Sequence, residues 1–145
     1  MKTNTFYSKI DGLSITFLLI SFLPLFVNTF LLDNYWDNFD KRIAESLIYF
    51  LPSTYFIYTT FFTKYKIEDN SIRYQFGFIR GSVSIEDIKM IQLGKTMWVG
   101  RKVGLASKGM IITYNRFDEI YFTPKEQDLF LEELQKINPN IKIEK

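Results

Sequence analysis

The residues best suited to chemistry in this chain lie between Asp87 and Asp118. Lys89, Lys95, Arg101, Lys102, Lys108 and Arg116 occur there with no acidic residue among them, and Gly94, Gly100, Gly104 and Gly109 punctuate the same stretch. Trp98, with Met97 beside it, reads as the apolar tip of a loop. A basic, glycine-hinged loop with an exposed aromatic suits anionic lipid headgroups. Each Lys or Arg near an anionic leaflet contributes about 1 kcal/mol, and the attraction is screened within a Debye length. Lys95, Trp98, Arg101, Lys102 and Lys108 are therefore the candidate lipid- or partner-binding residues. The plainer alternative is a solvated basic loop whose Trp98 covers a sheet edge.

Other arrangements fail on spacing. The chain has no Cys and no His. That removes thiolate nucleophiles, Cys/His zinc sites, disulfides and imidazole bases together, and leaves the redox compartment open. Gly94-Lys95-Thr96 resembles the end of a phosphate-cradling loop, but the required first glycine falls at Lys89 and no helical pattern follows. Ser107 and Lys108 are neighbours on an extended segment, so their side chains point to opposite faces and cannot act as a nucleophile pair. Glu86-Asp87 reads as a turn cap and Glu132-Glu133 as a water-facing helix pair, without cation-site spacing. No catalytic, cofactor-binding or metal-ligating residue is expected, and the chain is expected not to be an enzyme. A net charge of +2 also gives no reason to expect a nucleic-acid partner.

The elements that must position the basic loop follow a period of two. Tyr65 begins a strand, Glu68-Asp69-Asn70 a tight turn, and Ile72, Tyr74, Phe76 and Phe78 alternate along a second strand in which Gly77 suggests a bulge. Arg80-Gly81 reads as a turn, with Val83 and Ile85 on a third strand and Ile88 to Leu93 on a fourth. Gly94 to Gly104 is less regular. Gly109 to Tyr114 and Glu119 to Thr123 form a hairpin about Asn115–Asp118. Thr123, Pro124 and Glu126 predict a capping box opening a helix, with Phe130, Leu134 and Ile137 on one face and Asn138-Pro139 as its stop. The expected fold is α+β, mainly β: a curved antiparallel sheet or barrel closed by a C-terminal helix.

Ahead of this domain, Leu13 to Leu32 contains no charged residue. Twenty helical residues span about 30 Å, the thickness of a bilayer's hydrocarbon core. A cleaved signal peptide is the main alternative, but the run is too long and no Ala-x-Ala-like site follows it. Ser46 to Phe62 is a second, shorter apolar run, read as a second span or as an interfacial or re-entrant helix. Pro24 and Pro52 near the middle of the runs imply kinks. Asp33 to Arg42 forms a short polar link, with Tyr35 and Trp36 at headgroup depth. The domain organisation expected is thus a two-helix transmembrane hairpin in residues 1–63 and a β domain in 64–145. Lys2, Lys9, Lys64, Lys66, Arg73 and Arg80 flank the hairpin, against Lys41 and Arg42 in the link, which places both termini and the domain on the cytoplasmic side.

The runs KYKIEDNSIRYQFGFIRGSVSIEDIKMI, SKGMIITY, IYFTP and FLEELQKINPNI resemble bacterial pleckstrin-homology (PH-like) domains. The layout resembles small bacterial membrane proteins that carry one or two helices before such a domain. The resemblance covers about Lys64 to Ile143 and brings no catalytic residues. It implies a membrane-anchored binding module whose partner is an anionic lipid headgroup or a membrane or cytosolic protein. Bacteriocin immunity, known among some relatives, or a role in envelope stress would be instances. The alternative is a structural, self-associating membrane protein that forms a homo-oligomer through its β edges and takes no small-molecule ligand.

Overall fold

The computed structural model describes residues 4–30 and 39–145. In chain order its elements are β1 (Asn4–Tyr7), α1 (Gly12–Phe30), α2 (Phe39–Phe62), β2 (Lys64–Glu68), β3 (Ser71–Phe76), β4 (Ile79–Ser84), β5 (Ile88–Lys95), β6 (Arg101–Val103), β7 (Gly109–Tyr114), β8 (Asp118–Phe122), α3 (Gln127–Ile137) and β9 (Lys142–Glu144). The strands form two sheets, ordered β1-β2-β3-β4 and β6-β8-β7-β5-β9. The sheets do not close into a barrel. Nor are they wholly antiparallel, because β6 runs parallel to β8 and β9 parallel to β5.

The turns follow backbone chemistry. Asp69 and Asn70 join β2 to β3 with positive φ at both positions (51° and 56°), the conformation of a type I′ hairpin turn that Asn and Asp tolerate. Gly77 does not bulge a strand that continues to Phe78. With φ of +58° it opens a two-residue turn, Phe76 pairs with Ile79, and Arg80-Gly81 lies inside β4. A left-handed position with no room for a Cβ against Thr59 is what a glycine permits there, and the turn leaves Phe78 exposed at the tip.

The core lies between the sheets and under α3. Ile72, Ile85, Ile91, Ile112, Ile120 and Phe122 are fully buried. Phe130 of α3 meets Phe6 edge-on at 5.0 Å, and Tyr65 meets Phe122 in the same way at 5.0 Å. Phe130, Leu131 and Leu134 are the buried face of α3, as its periodicity predicts. Its N-terminus is a correction. Glu126 holds the N-cap position without a side-chain cap bond, and Thr123 is buried, its hydroxyl 2.8 Å from that of Ser8. A buried hydroxyl must be paired inside the protein, and that partner displaces the capping role.

The N-terminal half differs in three ways from the expected anchor. Asn4–Tyr7 are a strand of the domain, paired antiparallel with Lys64–Ile67. The expected spans at 13–32 and 46–62 correspond to α1, described as far as Phe30 (Leu31 and Leu32 lie outside the described residues), and to α2, which takes in Phe39 to Arg42 of the expected link. Tyr35, Trp36 and the rest of that link lie outside the described residues. Among the described residues no helix is long and apolar enough to cross a membrane. The two helices pack together, with the Ser53 hydroxyl donating to the Ser21 carbonyl at 2.7 Å. Ile15, Leu19, Ile20, Leu23 and Phe26 of α1 and Leu47, Ile48, Leu51 and Phe61 of α2 remain exposed.

Candidate functional site

The basic segment between β5 and β7 supplies β6, the edge strand of the second sheet beside β8, and its cations point to different places. Lys95 ends β5 opposite Gly109, next to Lys108. Lys108 has a positive φ of 50°; its N–H bonds the Thr96 hydroxyl at 2.9 Å and its carbonyl accepts from Gln127 at 3.1 Å. Arg101 faces the opposite end of the sheet, where it donates to the Tyr114 hydroxyl at 3.1 Å. Lys102 stands between the Trp98 and Tyr121 rings, its Nζ 5.9 and 5.7 Å from their centroids, within cation–π range. Burial holds its ammonium below the usual lysine pKa. Trp98 remains 69% exposed, whereas Met97 is buried beneath the loop and does not share the tip. The structure therefore brings Lys95 and Lys108 together, and Lys102 and Trp98 together, and separates Arg101 from both pairs.

The first of these pairs belongs to the end of the β domain where the helices attach. Long-range polar contacts stitch that end. Asp11, just ahead of α1, accepts from the Ser107 N–H at 2.7 Å and the Ser107 hydroxyl at 2.6 Å, across 96 residues of sequence. Its other oxygen accepts from the Ser14 N–H at 3.1 Å, as an N-terminal helix cap does. Burial raises the Asp11 carboxyl pKa, but these hydrogen bonds outweigh it and hold the group below its ordinary value. The buried Tyr65 hydroxyl donates to the Val103 carbonyl and accepts from the Thr123 N–H. Tyr121 donates to the Ala106 carbonyl at 2.8 Å and accepts from the Gly109 N–H at 2.9 Å. Burial raises the pKa of both phenols, so both stay neutral donors.

Strand register shows how charge is sorted along the domain. Tyr7, Lys64, Gln75 and Arg80 form one row across β1 to β4 at the helix-bearing end, and Thr5, Lys66, Arg73 and Ser82 form the next. Lys64, Lys66, Arg73 and Arg80 thus share the outer face of the first sheet and line an open groove of about 690 Å³ with Gln75, Ser82 and, at its acidic end, Glu68. Arg73 pairs with Asp69 at 3.2 Å and Glu68 at 3.5 Å. Among the described residues no carboxylate pairs with Lys64, Lys66 or Arg80. Lys9, Lys95, Lys108 and Lys125 stand at the same end of the domain, where Asp11, Glu126 and Asp128 are the nearby carboxylates. The opposite end carries Glu68, Asp69, Glu86, Asp87 and Asp118 in its turns, with Arg116 among them.

The sequence reading missed the groove because it weighed these cations only as topology signals. The readable signal was their spacing: Lys64 and Lys66 are two apart on one strand, so they share a face. Among the described residues no group of carboxylates is placed to hold a metal ion. No curated protein and no solved structure matches the chain. Residues 63–138, more than half of the chain, match the family model of the bacterial PH domain, and the chain belongs to that family.

Proposed function

We propose that the chain is a membrane-anchored, non-catalytic binding module. Its helical hairpin lies in the bilayer, and its PH-type domain sits on the cytoplasmic face with the basic end against the anionic leaflet. There it engages lipid headgroups or a membrane or cytosolic protein, and immunity to a bacteriocin or protection of a stressed envelope is one use of such a module. A PH-type scaffold is a binding scaffold, which supports the non-catalytic part of the reading.

One observation carries the rest: the unpaired cations of the domain collect at the end where an outwardly apolar helix pair enters it. α1 has no charged residue, and the uncharged run continues in the sequence through Leu31 and Leu32. The apolar side chains that α1 and α2 expose need a non-aqueous neighbour, and cations flanking such a segment favour the cytoplasmic side.

Topology is the direct test, since the chain has no native cysteine. A single Asn115→Cys substitution places a thiol in the β7–β8 turn, farthest from the helices. The expected result is no labelling by an impermeant maleimide in intact cells and full labelling after permeabilisation. Labelling in intact cells would place the domain outside and sink the cytoplasmic assignment.

A second reading has its own support. β4 is a six-residue edge strand with no strand partner on its outer side among the described residues, and open edges can pair between copies. It predicts a defined oligomer in detergent that survives neutralising Lys95, Arg101, Lys102 and Lys108.

A further inference from the structure

The β3–β4 turn has a feature that neither the fold nor the charge pattern requires. Phe78 at its tip is 80% exposed and the next residue, Ile79, 56% exposed. Two consecutive large apolar residues at the tip of a tight turn bury nothing inside the domain.

The tip is nevertheless held in one place. Phe78 stacks on Tyr58 at 5.5 Å and on Tyr55 at 5.8 Å, both on α2. Behind it, a Cβ on Gly77 would fall 2.8 Å from Thr59 and 3.0 Å from Tyr55, so the turn backbone is seated directly on the helix. Gln75 adds a bond to the Tyr58 hydroxyl at 3.4 Å. Tyr58 and Tyr55 lie about 6 and 10 Å back along the helix from Phe62, at 1.5 Å per residue. The turn therefore reaches past the junction of helix and domain, alongside the segment assigned to the bilayer. Immediately beyond the tip is Arg80 and, two strands across in the same register row, Lys64, at the mouth of the groove they share with Lys66.

The geometry points to a binding site for one anionic phospholipid. Phe78 and Ile79 insert among the acyl chains at the headgroup boundary, and the headgroup phosphate lies in the groove against Lys64, Lys66 and Arg80. The site rests on the membrane reading above. Its two halves match the two halves of a lipid: apolar residues on the bilayer side, unpaired cations one strand-row outward. Tyr55 and Tyr58 present amphipathic rings at the level between them, where Tyr favours the membrane interface. A groove of this size lies within the range of about 300–1,000 Å³ usual for small-ligand sites.

The test uses the full chain reconstituted in vesicles of phosphatidylcholine and phosphatidylglycerol. Single cysteines at Phe78→Cys, Leu19→Cys and Asn70→Cys carry an environment-sensitive fluorophore, read with aqueous iodide and with brominated lipid as quenchers. The Phe78 label is expected to match the Leu19 label, with blue-shifted emission, loss of iodide quenching and strong quenching by brominated lipid. The Asn70 label should do the opposite. Lys64→Gln and Arg80→Gln are each expected to lower the association of spin-labelled phosphatidylglycerol about fivefold and leave spin-labelled phosphatidylcholine unchanged.

A Phe78 label in water beside a Leu19 label in lipid would overturn the site and leave the anchor standing. A Leu19 label in water would overturn both. A Phe78 label shielded from both quenchers would make the tip a contact between protein surfaces and end the lipid assignment. Unchanged phosphatidylglycerol association in both Gln variants would remove the headgroup half.

Discussion

The two ends of the β domain are made from the same strands and yet differ in charge and in how they are held. At the end away from the helices the turns close over shorter stretches of chain. Asn115 donates to Asp118 at 2.9 Å and Arg73 pairs with Asp69 four residues away, while the Asn70 carbonyl accepts from the Ile85 N–H at 2.9 Å and the Asn115 N–H donates to the Asp87 carbonyl at 3.1 Å, turn to neighbouring turn. That end is acidic. At the helix-bearing end Ser8 meets Thr123, Asp11 meets Ser107 and Tyr65 meets Val103, each across a long stretch of sequence. That end is basic, and among the described residues most of its cations pair with no carboxylate. Contacts between neighbouring turns confine the effect of a substitution, whereas an end stitched from distant segments responds as a unit.

Breaking the stitched end should have the largest effect. Tyr65→Ala removes a fully buried ring and is expected to cost about 3–5 kcal/mol in urea unfolding of the detergent-solubilised chain. Tyr65→Phe keeps the ring but strands the Val103 carbonyl and the Thr123 N–H, and should cost about 1–3 kcal/mol. Equal losses in the two variants would show that the hydroxyl, and so the polar stitching, carries the whole effect, whereas no loss in Tyr65→Phe would show that packing alone matters.

The charge contrast is sharpened by neutralisation. Lys64→Gln with Arg80→Gln should weaken recruitment of anionic lipid about 25-fold, at about 1 kcal/mol per cation, with little change in unfolding. The matched acidic-end pair, Glu86→Gln with Asp87→Asn, should leave recruitment unchanged. Equal effects from both pairs would mean that net charge, and not its placement, governs binding.

Asp11 joins the helices to the domain. Its carboxyl is held below its ordinary value of 3.8, so its contribution is complete above that value and fades as pH falls through the lowered one. Asp11→Asn should cost about 1–2 kcal/mol near neutrality and flatten the unfolding profile below about pH 4. An unaltered acid limb in the variant would contradict the clasp.

The smallest effect belongs to the acidic end. Asn70→Gly relieves a left-handed residue and removes only an exposed side-chain bond to Glu86 at 3.3 Å, so it should change stability by no more than about 0.5 kcal/mol in either direction. A larger loss would show that the Asn70–Glu86 contact matters to the whole domain.

Much of the β domain was legible because its cues are local. Alternation in Ile72 and Tyr74, the Asp69-Asn70 turn, and the 3.6-residue spacing of Phe130, Leu134 and Ile137 each need only a few consecutive residues. The parts that escaped depend on partners far away. Asn4–Tyr7 is too short to announce a strand, and its partner lies beyond two helices. β6 and β9 are three residues each and pair in parallel, which no hairpin signal marks. Thr123 has every local feature of a helix cap, but Ser8 and Tyr65 claim its hydroxyl. The candidate loop was legible as composition only. That Lys102 packs on Trp98 while Arg101 turns to Tyr114 depends on how the segment crosses the sheet. The groove needed the register of β2, β3 and β4, which places Lys64, Gln75 and Arg80 in one row.

The pairing of β1 with β2 also bears on how the molecule is made. The strands are neighbours in the sheet, but the whole helical hairpin is synthesised between them. At about 5–20 residues per second, β1 waits several seconds for β2, and longer for Lys125, whose N–H bonds the Tyr7 carbonyl at 2.9 Å. The hairpin has emerged in full before the first sheet can close. The domain therefore cannot fold ahead of its helices, and the Asp11–Ser107 clasp, which needs the segment after β6, is fastened later still. The helical hairpin comes first in time, and the sheet that carries the basic groove is completed only behind it.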